Sequence, residues 1–165
     1  MTNPAKILVS TCLMGFPVRY NGSAKPFMPP TLLRWQQEDR LILCCPEVSA
    51  GFPTPRLSAE IRHSPLGERV VVESDNNDVT ARYLAGARIA LQLALKHQCR
   101  FALLTDGSPS CGSSLIYDGS FSGKKISGMG LTADLLRKNG IAVFSESEFS
   151  ALETAVTLAD KQTAR

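Results

Sequence analysis

The sequence predicts an α/β fold: one domain, an open parallel sheet with helices on both faces in the Rossmann-like manner. Three observations carry this expectation. Four short apolar runs, Ile7–Ser10, Leu41–Cys44, Phe101–Leu104 and Ile141–Phe144, read as buried strands. Helical patterns fall between them, and strands that alternate with helices build parallel sheets covered on both faces. The chain has 165 residues, 44% hydrophobic and 20% charged, which suits one soluble domain with a core of its own.

Taken in order, the first strand ends in the turn signal C-L-M-G at 12–15. A helix is predicted from about Pro30 to Asp39, opened by a proline pair that fits a first turn. The second strand runs straight into C-P-E, a helix start. Arg69–Glu73 (R-V-V-V-E) reads as an extra strand or hairpin arm. The clearest helix spans Thr80 to His97, with Leu84, Ala87, Arg88, Leu91 and Leu95 at helical spacing and Asp78 or Thr80 as its cap. After the third strand, Asp118–Gly130 is a glycine-rich excursion too polar for core. A further helix covers about Thr132 to Asn139, capped by Thr132 and stopped by Gly140. The last follows Ser147 to about Asp160, and the terminal D-K-Q-T-A-R is expected to fray. A single domain over 1–165 follows, with a motif-bearing core at about 6–147.

Charge and targeting signals narrow the function classes. A net charge of +3 gives no basic block of the kind that marks a nucleic-acid footprint, while small anionic ligands remain compatible. The start lacks the basic flank and sustained apolar region of a secretory signal, and no apolar stretch approaches the roughly 20 residues of a membrane span. The expectation is a cytoplasmic protein whose thiols stay reduced.

Five cysteines, at 12, 44, 45, 99 and 111, make an odd count without a C-x-x-C pair, so neither a disulfide framework nor a zinc ribbon is expected. Their positions matter more. Cys12 follows the first strand, Cys45 the second, and Cys111 lies just past the third in L-L-T-D-G-S-P-S-C-G-S-S. Parallel strands present their carboxyl ends on one edge, where ligands bind in open α/β sheets. Three thiols distant in sequence should therefore meet at one rim, each followed by a turn whose N–H groups favour anions. Cys44 and Cys99 lack this setting and read as structural. Zinc would want a fourth ligand, and His63 and His97 lie outside the motifs. Soft thiolates also suit iron–sulfur clusters. Residue chemistry leaves these options open.

The motifs C-L-M-G at 12–15, R-Y-N-G at 19–22, C-P-E-V-S-A-G-F-P-T-P-R at 45–56, S-P-S-C-G at 108–112 and Y-D-G-S-F-S-G at 117–123 resemble, in order, those of the 2-thiouracil desulfurase family. The resemblance implies a 4Fe–4S cluster held by Cys12, Cys45 and Cys111, with one iron left open. It implies non-redox removal of sulfur from a thiolated pyrimidine, as base, nucleoside or nucleotide. Glu47 matches the acid/base, and Ser108 and Ser110 match substrate-site groups. An iron–sulfur assembly machinery would be a partner, and the oligomeric state is left open. T-D-G before S-P-S-C and Ala50-Gly51 after C-P-E-V depart from the family pattern, and bear on substrate choice.

Each residue also has a plainer account. Glu47 alone is a first-turn residue favoured by the helix dipole. Arg56, after a rigid proline turn, is read as an anion clamp for substrate. Arg19 and Lys25 either serve substrate or solvate. One of Ser108 and Ser110 is expected to satisfy its own backbone. Lys124 and Lys125 read as a solvated pair, with a lid as the alternative, and Trp35 as packing. Two rival functions are a cluster-free enzyme forming a persulfide on Cys111 and a non-catalytic cluster-binding sensor.

Overall fold

The computed structural model describes residues 4–163. Four parallel strands form the central sheet: β1 (Lys6–Ser10), β2 (Leu41–Cys44), β5 (Cys99–Leu104) and β8 (Ala142–Ser145), in the order β2-β1-β5-β8. Ile7, Leu8 and Val9 of β1 are fully buried, because alternate side chains enter the two opposite faces and helices cover both. On one face α1 (Pro30–Gln37) and α5 (Phe149–Thr163) bury Trp35, Phe149, Leu152 and Val156 against Ile7, Val9 and Leu103. On the other, α3 (Thr80–Lys96) and α4 (Leu131–Lys138) bury Ala90, Ala94, Ala133 and Leu136 against Leu8, Ala102 and Val143.

The order places the reversal of chain direction between β1 and β5. From β1 the chain moves outward to β2, then crosses back through α3 to β5 and outward again to β8. A crevice opens at the carboxyl ends of strands on either side of such a reversal. Two antiparallel hairpins are inserted into the crossovers on that side. One pairs β3 (Ala59–His63) with β4 (Arg69–Glu73), and the other pairs β6 (Leu115–Tyr117) with β7 (Lys125–Ser127).

Several expectations shift. The predicted hairpin arm at Arg69–Glu73 is a strand, and its partner Ala59–His63 carried no alternation strong enough to read. The glycine-rich excursion contains β7. Thr132 is not the cap of α4. Carbonyls of Pro109 and Ser110 accept the N–H groups of Leu131, Thr132 and Ala133 at 2.8–3.1 Å, and Gly130 occupies the cap position. A distant loop thus satisfies donors that a local hydroxyl was expected to take. At α3 neither expected residue is the cap: Val79 takes the cap position without a side-chain bond, while Asp78 accepts both the N–H and the hydroxyl of Thr80. Helix α5 runs past Asp160 to Thr163, whose hydroxyl donates to the Ala159 and Asp160 carbonyls, whereas residues 164 and 165 lie outside the described residues. Among the described residues no helix is long and apolar enough to cross a membrane.

Candidate functional site

Each rim thiol sits where a strand gives way to a turn. Cys12 lies in a single 3-10 turn, Thr11–Met14, closed by Gly15 at φ +94°. Its carbonyl accepts the N–H groups of Gly15 and Lys25 at 3.3 and 3.1 Å. Cys45 is the extended cap residue of the one-turn helix α2 (Pro46–Ser49), with proline at the first helical position. The Cys111 loop is built on its own backbone. Ser108 Oγ accepts the N–H groups of Ser110 and Cys111 at 3.0 and 2.9 Å. A Cβ at Gly112 would lie 2.6 Å from the Leu115 carbonyl oxygen and 2.8 Å from that of Ser108. The glycine and serine density around Cys111 therefore reflects close backbone packing, which any larger residue would break.

The three thiols line one cavity of about 370 Å³ at the β1/β5 reversal. Burial comes first among the causes that push the Cys12 thiol up to about 11, and the Cys45 sulfur adds to it while Arg19 opposes. Cys45 is raised by burial, and Cys111 is raised well above its ordinary value, again by burial, with Cys45 and Cys12 adding repulsion and the Ser10 hydroxyl opposing. Three mutually repelling buried thiols are poor nucleophiles on their own, and their anionic forms call for a cation between them. Cys44 also touches the cavity wall but is packed in the core with Leu8 and Ala90, and Cys99 is buried in that core away from the cavity.

Glu47 stands on α2, two residues past Cys45, with its side chain 12% exposed toward the cavity. Its Oε1 accepts the Tyr83 hydroxyl at 2.9 Å and Arg56 Nε at 3.0 Å. Among the described residues Oε2 takes no bond. Burial and the adjoining Glu47 carboxylate raise the Tyr83 phenol far above its ordinary range, so it stays protonated and donates. Arg56 also donates to the Pro53 carbonyl, Thr54 Oγ1 and the Val18 carbonyl at 2.9–3.1 Å, so most of its N–H groups are already engaged within the chain.

Ser108 lines the cavity, while Ser110 is fully buried, does not line it, and has a hydroxyl without a partner among the described residues. Ser108 is the serine that satisfies its own backbone. Arg19 and Lys25 both line the cavity; Lys25 pairs with Glu146 at 3.2 Å. Lys125 lines it too, with its ammonium 5.4 Å from the Tyr117 ring, whereas Lys124, equally exposed, does not. Trp35 is packing, at 1% exposure.

Sequence reasoning missed several members. Tyr83 reaches Glu47 from the first turn of α3 and carried no signal of its own in the sequence. Asp106 Oδ1 accepts the N–H groups of Gly107, Ser113, Ser114 and Leu115 at 3.0–3.2 Å and so folds the Cys111 loop around itself. Glu146 accepts Asp106 N–H at 2.8 Å and the Thr105 hydroxyl at 3.2 Å, fastening the same loop to the end of β8. An Asp followed by Gly, Ser and Pro signals such a loop nucleus, but its partners are not local. Glu60 and Phe121 come from the two hairpins; Glu60 carried no motif, and Phe121 falls within Y-D-G-S-F-S-G, a motif that assigns it no role.

Among the described residues no three His, Cys, Asp or Glu side chains gather closely enough to hold a single metal ion. A multi-iron group places each thiolate on a different iron, so its ligands stand around it instead of meeting at a point. Three thiols spaced around a cavity fit that donor set. The chain matches, over residues 7–148, the model of the family described as 2-thiouracil desulfurase. It is 42% identical over 150 residues to the uncharacterized protein YbbK of Bacillus subtilis (strain 168), covering 87% of this chain and 97% of that one. A solved structure, the 4Fe–4S-dependent thiouracil desulfidase TudS, is 47% identical with a TM-score of 0.87, covering 93% of this chain and 99% of that one.

Proposed function

Starting from the fact that the chain belongs to the 2-thiouracil desulfurase family, we propose that this enzyme desulfurates thiolated pyrimidines without net redox change, in a cavity where Cys12, Cys45 and Cys111 hold a 4Fe–4S cluster. The observation that carries the reading is the meeting of three strand-end thiols in one cavity with a carboxylate whose second oxygen takes no bond among the described residues. Such a cluster, when bound by three thiolates, supplies a soft Lewis acid suited to a thiocarbonyl sulfur.

The chain's own residues supply the rest. Tyr83 and Arg56 fix Glu47 through Oε1, which directs Oε2 to take a proton from water approaching the thiocarbonyl carbon. Arg56 thus acts as a positioning residue. Ser108 Oγ accepts two N–H bonds, which polarise its hydroxyl and leave its proton for a substrate oxygen or developing anion. Ser110 supports the loop from behind. Arg19 and Lys25 put positive charge at the rim, where the substituent of a nucleoside or nucleotide would lie.

The test is anaerobic reconstitution followed by iron and sulfide counts and an assay with 2-thiouracil. Cys12→Ser, Cys45→Ser and Cys111→Ser should each lose iron, while Cys44→Ser and Cys99→Ser keep it. A colourless chain that still turns over would replace this reading with a cluster-free enzyme.

A further inference from the structure

We propose that Phe121, held by the buried carboxylate of Glu60, is the platform on which the planar pyrimidine ring of the substrate rests, and so sets how tightly this site holds it; the proposal rests on the reading just given.

The first observation is the backbone of Phe121. Its φ is +58°, the left-handed region that glycine adopts freely and that a bulky side chain rarely enters. The hairpin tip around it is rich in glycine, yet this position carries a phenyl ring. Residues in such conformations persist where the surroundings over-determine them, commonly at ligand sites.

The second is how that conformation is enforced. Glu60 is 8% exposed, and its Oε1 accepts the N–H groups of Gly119 and Phe121 at 3.0 and 3.1 Å. Arg62, also on β3, donates from Nε to the Gly119 carbonyl at 2.7 Å. Gly119 itself admits no side chain, since a Cβ there would lie 2.8 Å from the Ile61 carbonyl oxygen. One hairpin thus clamps the tip of the other by both its donors and its acceptor.

The third is where the ring goes. Phe121 is half-buried and lines the cavity that holds the three thiols, together with Tyr117. The Arg62 guanidinium, which does not line the cavity, lies 5.5 Å from the ring centroid. The ring is braced from the protein side and presented to the cavity. An aromatic surface stacks on any planar base, and such stacking is sequence-tolerant because every base has a π-face.

The experiment uses the anaerobically purified holoenzyme and compares wild type with Phe121→Gly, Phe121→Ala and Phe121→Tyr. Melting temperature, iron per chain, kcat and KM for 2-thiouracil, and the calorimetric Kd for uracil are measured. The glycine and alanine variants should keep their iron, raise KM and the uracil Kd about tenfold, and change kcat far less. Phe121→Gly should melt no lower than Phe121→Ala, because glycine relieves the backbone strain. Phe121→Tyr should restore both affinities. Glu60→Ala should also raise KM, and combined with Phe121→Gly should add little. Unchanged affinity in both small variants, or an additive Glu60 effect, overturns the proposal. A wild type without iron or turnover contradicts the family reading instead. The uracil titration still reads the platform in that case, and wild type that fails to bind uracil overturns it.

Discussion

A carboxylate acts through a particular oxygen, and at Glu47 the two are not equivalent. Oε1 is occupied by Tyr83 and Arg56, while Oε2 takes no bond among the described residues and Glu47 lines the cavity. Glu47→Gln keeps an acceptor for both donors but cannot take a proton, so it should retain iron and lose turnover by about 10²–10⁴-fold in a steady-state assay. Tyr83→Phe should keep iron and slow the reaction by roughly tenfold, since one of the two anchors of the base is gone. Nearness of Glu47 to Cys45 was legible in C-P-E; its anchor on α3 was not, because the contact spans 36 residues. The thiols carry their own prediction. Burial holds Cys12 protonated up to about 11 in the metal-free fold, above the ordinary thiol value of 9.0. The folded chain then binds more protons than the unfolded chain between those values, so stability is full below pH 9 and falls toward pH 11. Thermal melts of metal-free protein across that window should show the decline, and it should be smaller in the cluster-loaded protein, whose ligands are already deprotonated while Cys44 and Cys99, also pushed up to about 11 by burial, still contribute.

At the scale of elements, the site depends on two junctions. The Cys111 loop is folded on Asp106, whose carboxyl resists the upward push of burial through the Ser114 hydroxyl and backbone N–H bonds and sits below its ordinary range. Asp106→Asn leaves several of those N–H groups without an anionic acceptor, which should cost about 2 kcal/mol and speed iron loss to a chelator at temperatures where the far-UV signal is intact. The second junction is α2 on α3. A Cβ at Gly86 would run into the Pro46 carbonyl, so Gly86→Ala should push α2 outward, displace Cys45 and Glu47 together, and destabilise by about 1–3 kcal/mol in denaturant melts. Turnover falling with no loss of stability would contradict this account. Helices with strong periodicity, such as α3, were legible because their apolar faces repeat. The cap of α4 was misread because its acceptors are carbonyls of a loop about twenty residues away.

For the whole molecule, strand alternation made the parallel sheet legible, and with it the rim on which Cys12, Cys45 and Cys111 meet. The order β2-β1-β5-β8 puts the reversal beside two of those strand ends, where the crevice must open. The roof was legible only in part: Arg69–Glu73 read as a strand or hairpin arm, but the join of β3–β4 to β6–β7 rests on long-range bonds such as those of Glu60 to Gly119 and Phe121, which no local pattern encodes. The cavity is thus a rim readable from the sequence beneath a roof assembled only once the chain is folded. The central claim concerns what the three thiols hold, and it is tested most directly by counting iron and acid-labile sulfide per chain after anaerobic purification, with 2-thiouracil turnover measured on the same sample. The account predicts about four irons and four sulfides per chain, and turnover that rises with iron content. Turnover by a chain that carries no iron after careful reconstitution would contradict it.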